Sequence, residues 1–220
     1  MSKKIMLLAL AVAAMFALPA AASAQEVHFK GVTTFGGGGG PGFLQAVNEP
    51  KISCTATKVE EGKFDSGSST TGFVKLDFTG CTAEFLGIKG NCNTSGAASG
   101  TISASGTFHL ITTSTKKPGI LVTPITTTII CIGFSRVEVT GNGVIGTITS
   151  PACGASSKTM GVSFKQAGGT QEDLEYTGVK YDLSAHTENS SGVTTGATGT
   201  AGLEGTATLE SATAGTLECT

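Results

Sequence analysis

The chain has 220 residues, only 14% of them charged and 6% aromatic, with 32 glycines and a formal net charge of −2. That balance argues against a nucleic-acid partner, which needs clustered Lys and Arg, and Arg136 is the sole arginine for bidentate phosphate contacts. The six cysteines contain no CxxC pair, which argues against a catalytic dithiol or a close thiolate metal cluster.

The N-terminus opens with Lys3 and Lys4, continues as an unbroken apolar run from Ile5 to Leu18, and reaches Pro19 and Ala22-Ser23-Ala24. A basic start, an apolar middle and small residues at the end make the pattern of a cleavable secretory signal over residues 1–24. The apolar run falls short of the roughly 20 residues that span a bilayer. No later stretch qualifies, so no integral membrane segment is expected after cleavage. Removing Lys3 and Lys4 turns 14 basic and 16 acidic residues into 12 and 16, a net charge of −4. The expected destination is the medium or the cell envelope.

Residues 25–50 hold Gly36 to Gly40, followed by Pro41 and Gly42. A phosphate-cradling loop would need Lys-Ser/Thr after the glycines, and none is present. Glycine loses the most backbone entropy on ordering, so the expectation is a flexible Gly-rich entry segment.

Residues 51–220 are expected to form a single disulfide-stapled β domain, because the apolar period there is two. Val74, Leu76 and Phe78 alternate with Lys75 and Asp77; Ile102, Ala104, Gly106, Phe108 and Leu110 alternate with polar residues; so do Leu203, Gly205, Ala207 and Leu209. Each such segment presents one apolar face and one wet face. Gly119–Thr123 and Thr128–Phe134 are denser in apolar residues and read as more central strands. Asn142-Gly143, between Arg136–Thr140 and Val144–Thr149, carries the chemistry of a tight hairpin. Helical spacing is interrupted by Gly and Thr in nearly every window. The fold class is therefore all-β: an antiparallel β-sandwich or partly closed β-barrel with many short strands.

An even number of cysteines in an exported chain favours three disulfides among Cys54, Cys81, Cys92, Cys131, Cys153 and Cys219. Cys81 and Cys92 bracket a short loop with two glycines, and their closure would contribute roughly 3 kcal/mol. Spacing also permits Cys131–Cys153 with Cys54–Cys219, and six cysteines allow fifteen pairings in all.

Few residues invite a chemical role. His109 shares a polar strand face with Ser105 and Thr107, but no GxSxG elbow accompanies it. Glu172, Asp173 and Glu175 are the densest acidic run, of a kind that could serve glycoside hydrolysis. Asp182, His186 and Glu188 would share one strand face, where a surface metal site is conceivable; a solvated edge is the plainer account, and no metal or cofactor is expected.

Phe78-Thr79-Gly80-Cys81-Thr82, Asn91-Cys92-Asn93-Thr94-Ser95-Gly96, Val139-Thr140-Gly141 to Gly146 and Gly168-Gly169-Thr170-Gln171 resemble a group of uncharacterised secreted all-β proteins of soil actinobacteria. The resemblance covers roughly residues 50–180 and implies export, disulfides and a β fold, with no activity attached. It implies the pairs Cys54–Cys131 and Cys81–Cys92, leaving Cys153–Cys219. The expected function is a non-enzymatic secreted domain that binds an extracellular or cell-envelope partner: an envelope glycan, a protein or another copy of itself. The alternative is a secreted polymer hydrolase using residues such as Glu172, Glu175 or His186.

Overall fold

The computed structural model describes residues 26–47, 50–85, 87–132, 136–172, 174–189 and 193–220; the expected signal peptide lies outside them. Two-residue periodicity produces strands throughout, and the described residues contain no helix. Most strands come in pairs that follow one another along one path with a break between them. The paths run β2 (Thr34–Gly39) into β3 (Gly42–Ala46), β4 (Ile52–Cys54) into β5 (Ala56–Phe64), and β6 (Thr71–Thr79) into β7 (Thr82–Phe85). They continue as β8 (Ile88–Thr94) into β9 (Thr101–Thr112), β10 (Pro118–Thr123) into β11 (Ile125–Cys131), and β12 (Arg136–Gly141) into β13 (Val144–Ser150). The seventh path joins β14 (Ser156–Phe164) to β19 (Leu183–Glu188) through a long excursion, and the eighth is the unbroken β20 (Gly199–Cys219).

Hydrogen-bonded neighbours turn these eight paths into a closed barrel. One ring runs β14-β13-β10-β9-β6-β5-β2-β20 and closes through the β14–β20 pairing. A second runs β19-β12-β11-β8-β7-β4-β3-β20 and closes through β20–β3. The two orders correspond member by member. The chain is thus an up-and-down antiparallel barrel of eight paths, broken at a common waist and held across it by β20. Full closure removes the exposed strand edges that a sandwich would leave. Between the two forms allowed by the sequence, the structure selects the barrel.

The alternations read from the sequence point as expected. Val74, Phe108, Leu110 and Leu209 belong to the core of the first ring, with Phe35, Phe64 and Phe108 stacked edge to face at centroid distances of 5.1–5.8 Å. Ile52, Ile129, Val139, Leu183 and Ala185 fill the second ring together with four cysteines. At the waist most paths lose phase: Phe78 and Cys81 both face inward three residues apart, as do Val122 and Ile125. One extra residue restores the apolar face after each break, as a bulge does. The opposite faces carry Lys75, Asp77, Ser103, Thr208 and Glu210, the reverse of the outward apolar band of a lipid-facing barrel. Among the described residues no helix is long and apolar enough to cross a membrane.

Three local expectations are corrected. The glycine run is not a loose entry segment: Gly36 to Gly39 lie in β2, paired in continuous register with β20 and, across a bulge between Phe35 and Gly38, with β5. A Cβ on Gly37 would collide with the Thr208 carbonyl oxygen, and one on Gly39 with that of Thr206. Close backbone approach, unavailable to any other residue, compensates the entropy lost on ordering. Asn142-Gly143 does not close a hairpin either. β12 pairs with β11 and β19, while β13 pairs with β10 and β14. The Asn142 amide donates to the Lys180 carbonyl and its Oδ1 accepts from the Asp182 N–H, so the turn residues brace a waist crossing.

The disulfides are Cys54–Cys81, Cys92–Cys131 and Cys153–Cys219. The last agrees with the pairing implied by the resemblance; Cys81–Cys92 and Cys54–Cys131 are not formed. Cys92 and Cys131 are direct cross-strand partners with Cα atoms 4.0 Å apart. Cys81 abuts Cys92 through a backbone hydrogen bond of 2.9 Å, so four buried cysteines share one cluster and strand register selects the partners.

The excursion from Lys165 to Asp182 forms a strap on the outside of the first ring. It carries two small hairpins, β15 (Gln166–Ala167) with β16 (Thr170–Gln171) and β17 (Glu175–Tyr176) with β18 (Val179–Lys180). Leu174 packs on Ile111, Leu121 and Ile145, all 3% exposed or less, which explains why Gly119–Thr123 is apolar on both faces. The buried Gln171 side chain donates to the Leu203 carbonyl at 3.2 Å and accepts from its N–H at 2.9 Å. It thereby satisfies β20 where β14 has ended and β19 has not begun. β1 (Val27–Lys30) pairs with the end of β20 and buries Val27 and Phe29 against the core.

Candidate ligand cavity and polar clusters

Eight strands leave an interior that side chains just fill, or that holds one small ligand. Here the two ends are filled and the waist is not. A cavity of about 130 Å³ lies where the paths break, lined by Leu76, Phe78, Ala104, Val122, Ile125 and Phe164 among others. These inward-facing side chains are only partly buried, unlike Phe108 and Leu110 deeper along β9. Small residues cause the gap: Ala104 and Gly106 on β9, and Gly205 and Ala207 on β20, stand where larger side chains would meet. Side chains around such a hollow lack packing partners on one side. Thr57 and Thr127 are among the few polar residues of a lining that is otherwise aliphatic and aromatic.

The candidates singled out in the sequence do not assemble into one centre. His109 is on the outer face of β9, its ring edge-on to Tyr176 of the strap at 5.4 Å. Burial holds its pKa below the usual histidine value, partly opposed by the Glu26 carboxylate. Burial likewise raises the Tyr176 phenol, with smaller contributions from Glu26 and Tyr181. Glu172 and Glu175 are exposed on the strap flanking Leu174, while Asp173 lies outside the described residues. A glycosidase needs two carboxyl groups facing each other across the bond to be cut, one of them buried enough to stay protonated, and these two exposed groups do not provide it.

His186 does acquire neighbours, on the outer face of the second ring. Glu138 is its direct cross-strand partner, and Arg136 is that of Glu188. The His186 Nε2 lies 3.6 Å from Glu138 Oε2 and 3.4 Å from Glu188 Oε1, with side-chain exposures of 18%, 33% and 11% for His186, Glu138 and Glu188. Arg136 Nε stands 3.6 Å from Glu188 Oε2 and is itself buried without a hydrogen-bond partner. Asp182, grouped with His186 and Glu188 from the sequence, is four residues back along the strand, on the order of 13 Å at the β rise. It sits by Lys180 instead, at 3.8 Å. Glu138 escaped the sequence reading because its proximity to His186 is set by register between two segments far apart in the chain.

Fold and cavity together define the class: a closed eight-path up-and-down β-barrel with an apolar hollow at its waist. Comparisons with family models, with curated proteins and with solved structures return no match for this chain.

Proposed function

We propose that the protein is an exported, non-enzymatic binding domain that holds a small apolar molecule in the waist of its barrel. The waist cavity is the observation that carries this reading. A largely apolar hollow with a few polar groups at its margin is the usual form of a small-molecule site. Its volume approaches that of engineered cavities of about 150 Å³ that take up benzene, so the fitting ligand is a single ring or a short hydrocarbon chain. The secretory pattern of residues 1–24, the three disulfides and the resemblance to secreted actinobacterial proteins support a life outside the cytosol. The hydrolase alternative draws less support, since Glu172 and Glu175 are solvated and His109 faces a tyrosine.

Titration with fluorobenzene, followed by fluorine NMR of the ligand and proton–carbon NMR of the protein methyl groups, tests the reading. Saturable, one-to-one binding with shifts in the methyl resonances of Leu76 and Val122 is expected. No saturation up to the solubility limit would overturn it.

A further inference from the structure

We propose that Glu138, His186 and Glu188 form a site for a zinc-class divalent cation on the outer face of the second ring, remote in role from the apolar cavity. The sequence-based expectation of no metal rested on cysteine spacing and on histidines isolated along the chain. Strand register supplies what that spacing lacked.

One donor atom from each residue lies within 4.8 Å of the other two. With sides of 3.4 and 3.6 Å meeting at Nε2, the triangle has a centre roughly 2–2.4 Å from every corner, close to Zn–N and Zn–O bond lengths. An ion can therefore enter with small side-chain rotations and no backbone shift. The ligand chemistry is selective: one imidazole nitrogen and two carboxylate oxygens suit zinc, whereas calcium and magnesium favour oxygen-only shells of six or more.

The alternative occupant is a proton. A single Nε2–H can serve only one carboxylate at a time, and at 3.4 and 3.6 Å both separations are at or beyond the end of hydrogen-bond range. Glu188 is mostly buried, its Oε2 3.6 Å from Arg136 Nε and its Oε1 3.4 Å from the imidazole Nε2. A cation at the centre satisfies all three donors together and leaves its outward coordination position to water. The cross-strand pair Glu138–His186 and the i+2 partner Glu188 all stand on one sheet face, so the site is built on rigid elements.

Competition between the oxidised protein and a chromophoric chelator, with zinc as the added ion, tests the proposal. One equivalent of zinc is expected to bind, with His186→Gln and Glu138→Gln each weakening it by at least about tenfold. Glu26→Gln, which alters the separate His28–Glu26 pair at 3.9 Å, is expected to leave affinity unchanged. Should His186→Gln fail to fold by circular dichroism, the more exposed Glu138→Gln carries the test. Absence of zinc binding to the wild type at hundred-micromolar metal, wild-type affinity in both site variants, or calcium binding in preference to zinc would each overturn the assignment.

Discussion

Filling the waist is the sharpest test of the architecture. Ala104 lies opposite Leu76 across the β6–β9 pair and faces the cavity. Ala104→Leu adds three carbons, each worth about 0.8 kcal/mol when buried, for a ceiling near 2.4 kcal/mol. The cavity of about 130 Å³ gives the added side chain room. Rotamer strain subtracts from the gain, and a net stabilisation of about 1–2 kcal/mol is expected. In a chain of this size that is a rise of roughly 2–8 °C in Tm, or a shift in urea midpoint at unchanged m. The same variant loses fluorobenzene binding, because leucine occupies the ligand's place. Destabilisation by more than about 1 kcal/mol at unchanged m is the usual result of inserting carbons into a packed core, and it would refute the cavity.

Three further outcomes follow from other parts of the barrel. Gly37→Ala places a methyl against the Thr208 carbonyl at a φ of +120° and is expected to cost more than about 2 kcal/mol in urea unfolding. Gly36→Ala, with nothing near its Cβ, should stay within about 1 kcal/mol of wild type; equal costs would show that β2 is not clamped between β5 and β20. His109 has a folded pKa held below its unfolded value near 6.5, so its contribution is complete above that pH and is lost as pH falls through the folded pKa. His109→Phe should therefore flatten the decline in stability on acidification below pH 6.5, and an unchanged slope would show that burial of His109 does not oppose its protonation. Breaking Cys153–Cys219, which closes a separation of 66 residues, with Cys153→Ala and Cys219→Ala together should cost about 4 kcal/mol in the loop-entropy account. Non-reducing peptide mapping would check all three pairs, and a Cys81–Cys92 peptide would contradict the register of β7, β8 and β11.

The legible part of the fold was the part encoded by neighbours two residues apart. Inward Val74-Leu76-Phe78, Ile102-to-Leu110 and Leu203-to-Leu209 could be read because a strand writes its two faces directly into the order of its residues. Signals that depend on what lies opposite misled. Five glycines meant flexibility until β5 and β20 were seen to press on β2, and Asn142-Gly143 meant a hairpin until β12 and β13 were seen to have other partners. His186 was noticed, but joined to Asp182 along its own strand when its actual neighbour, Glu138, comes from β12.

The amino-acid order alone thus determined that the chain is all-β, which side chains turn inward on its longest strands, and that its cysteines would be paired. Closure into a barrel, the choice of disulfide partners, the hollow waist and the Glu138–His186–Glu188 cluster were decided only in three dimensions. Local alternation is a property of one segment and is visible in it. Register is a property of two segments distant in the chain, and it comes into being only when their backbones share hydrogen bonds.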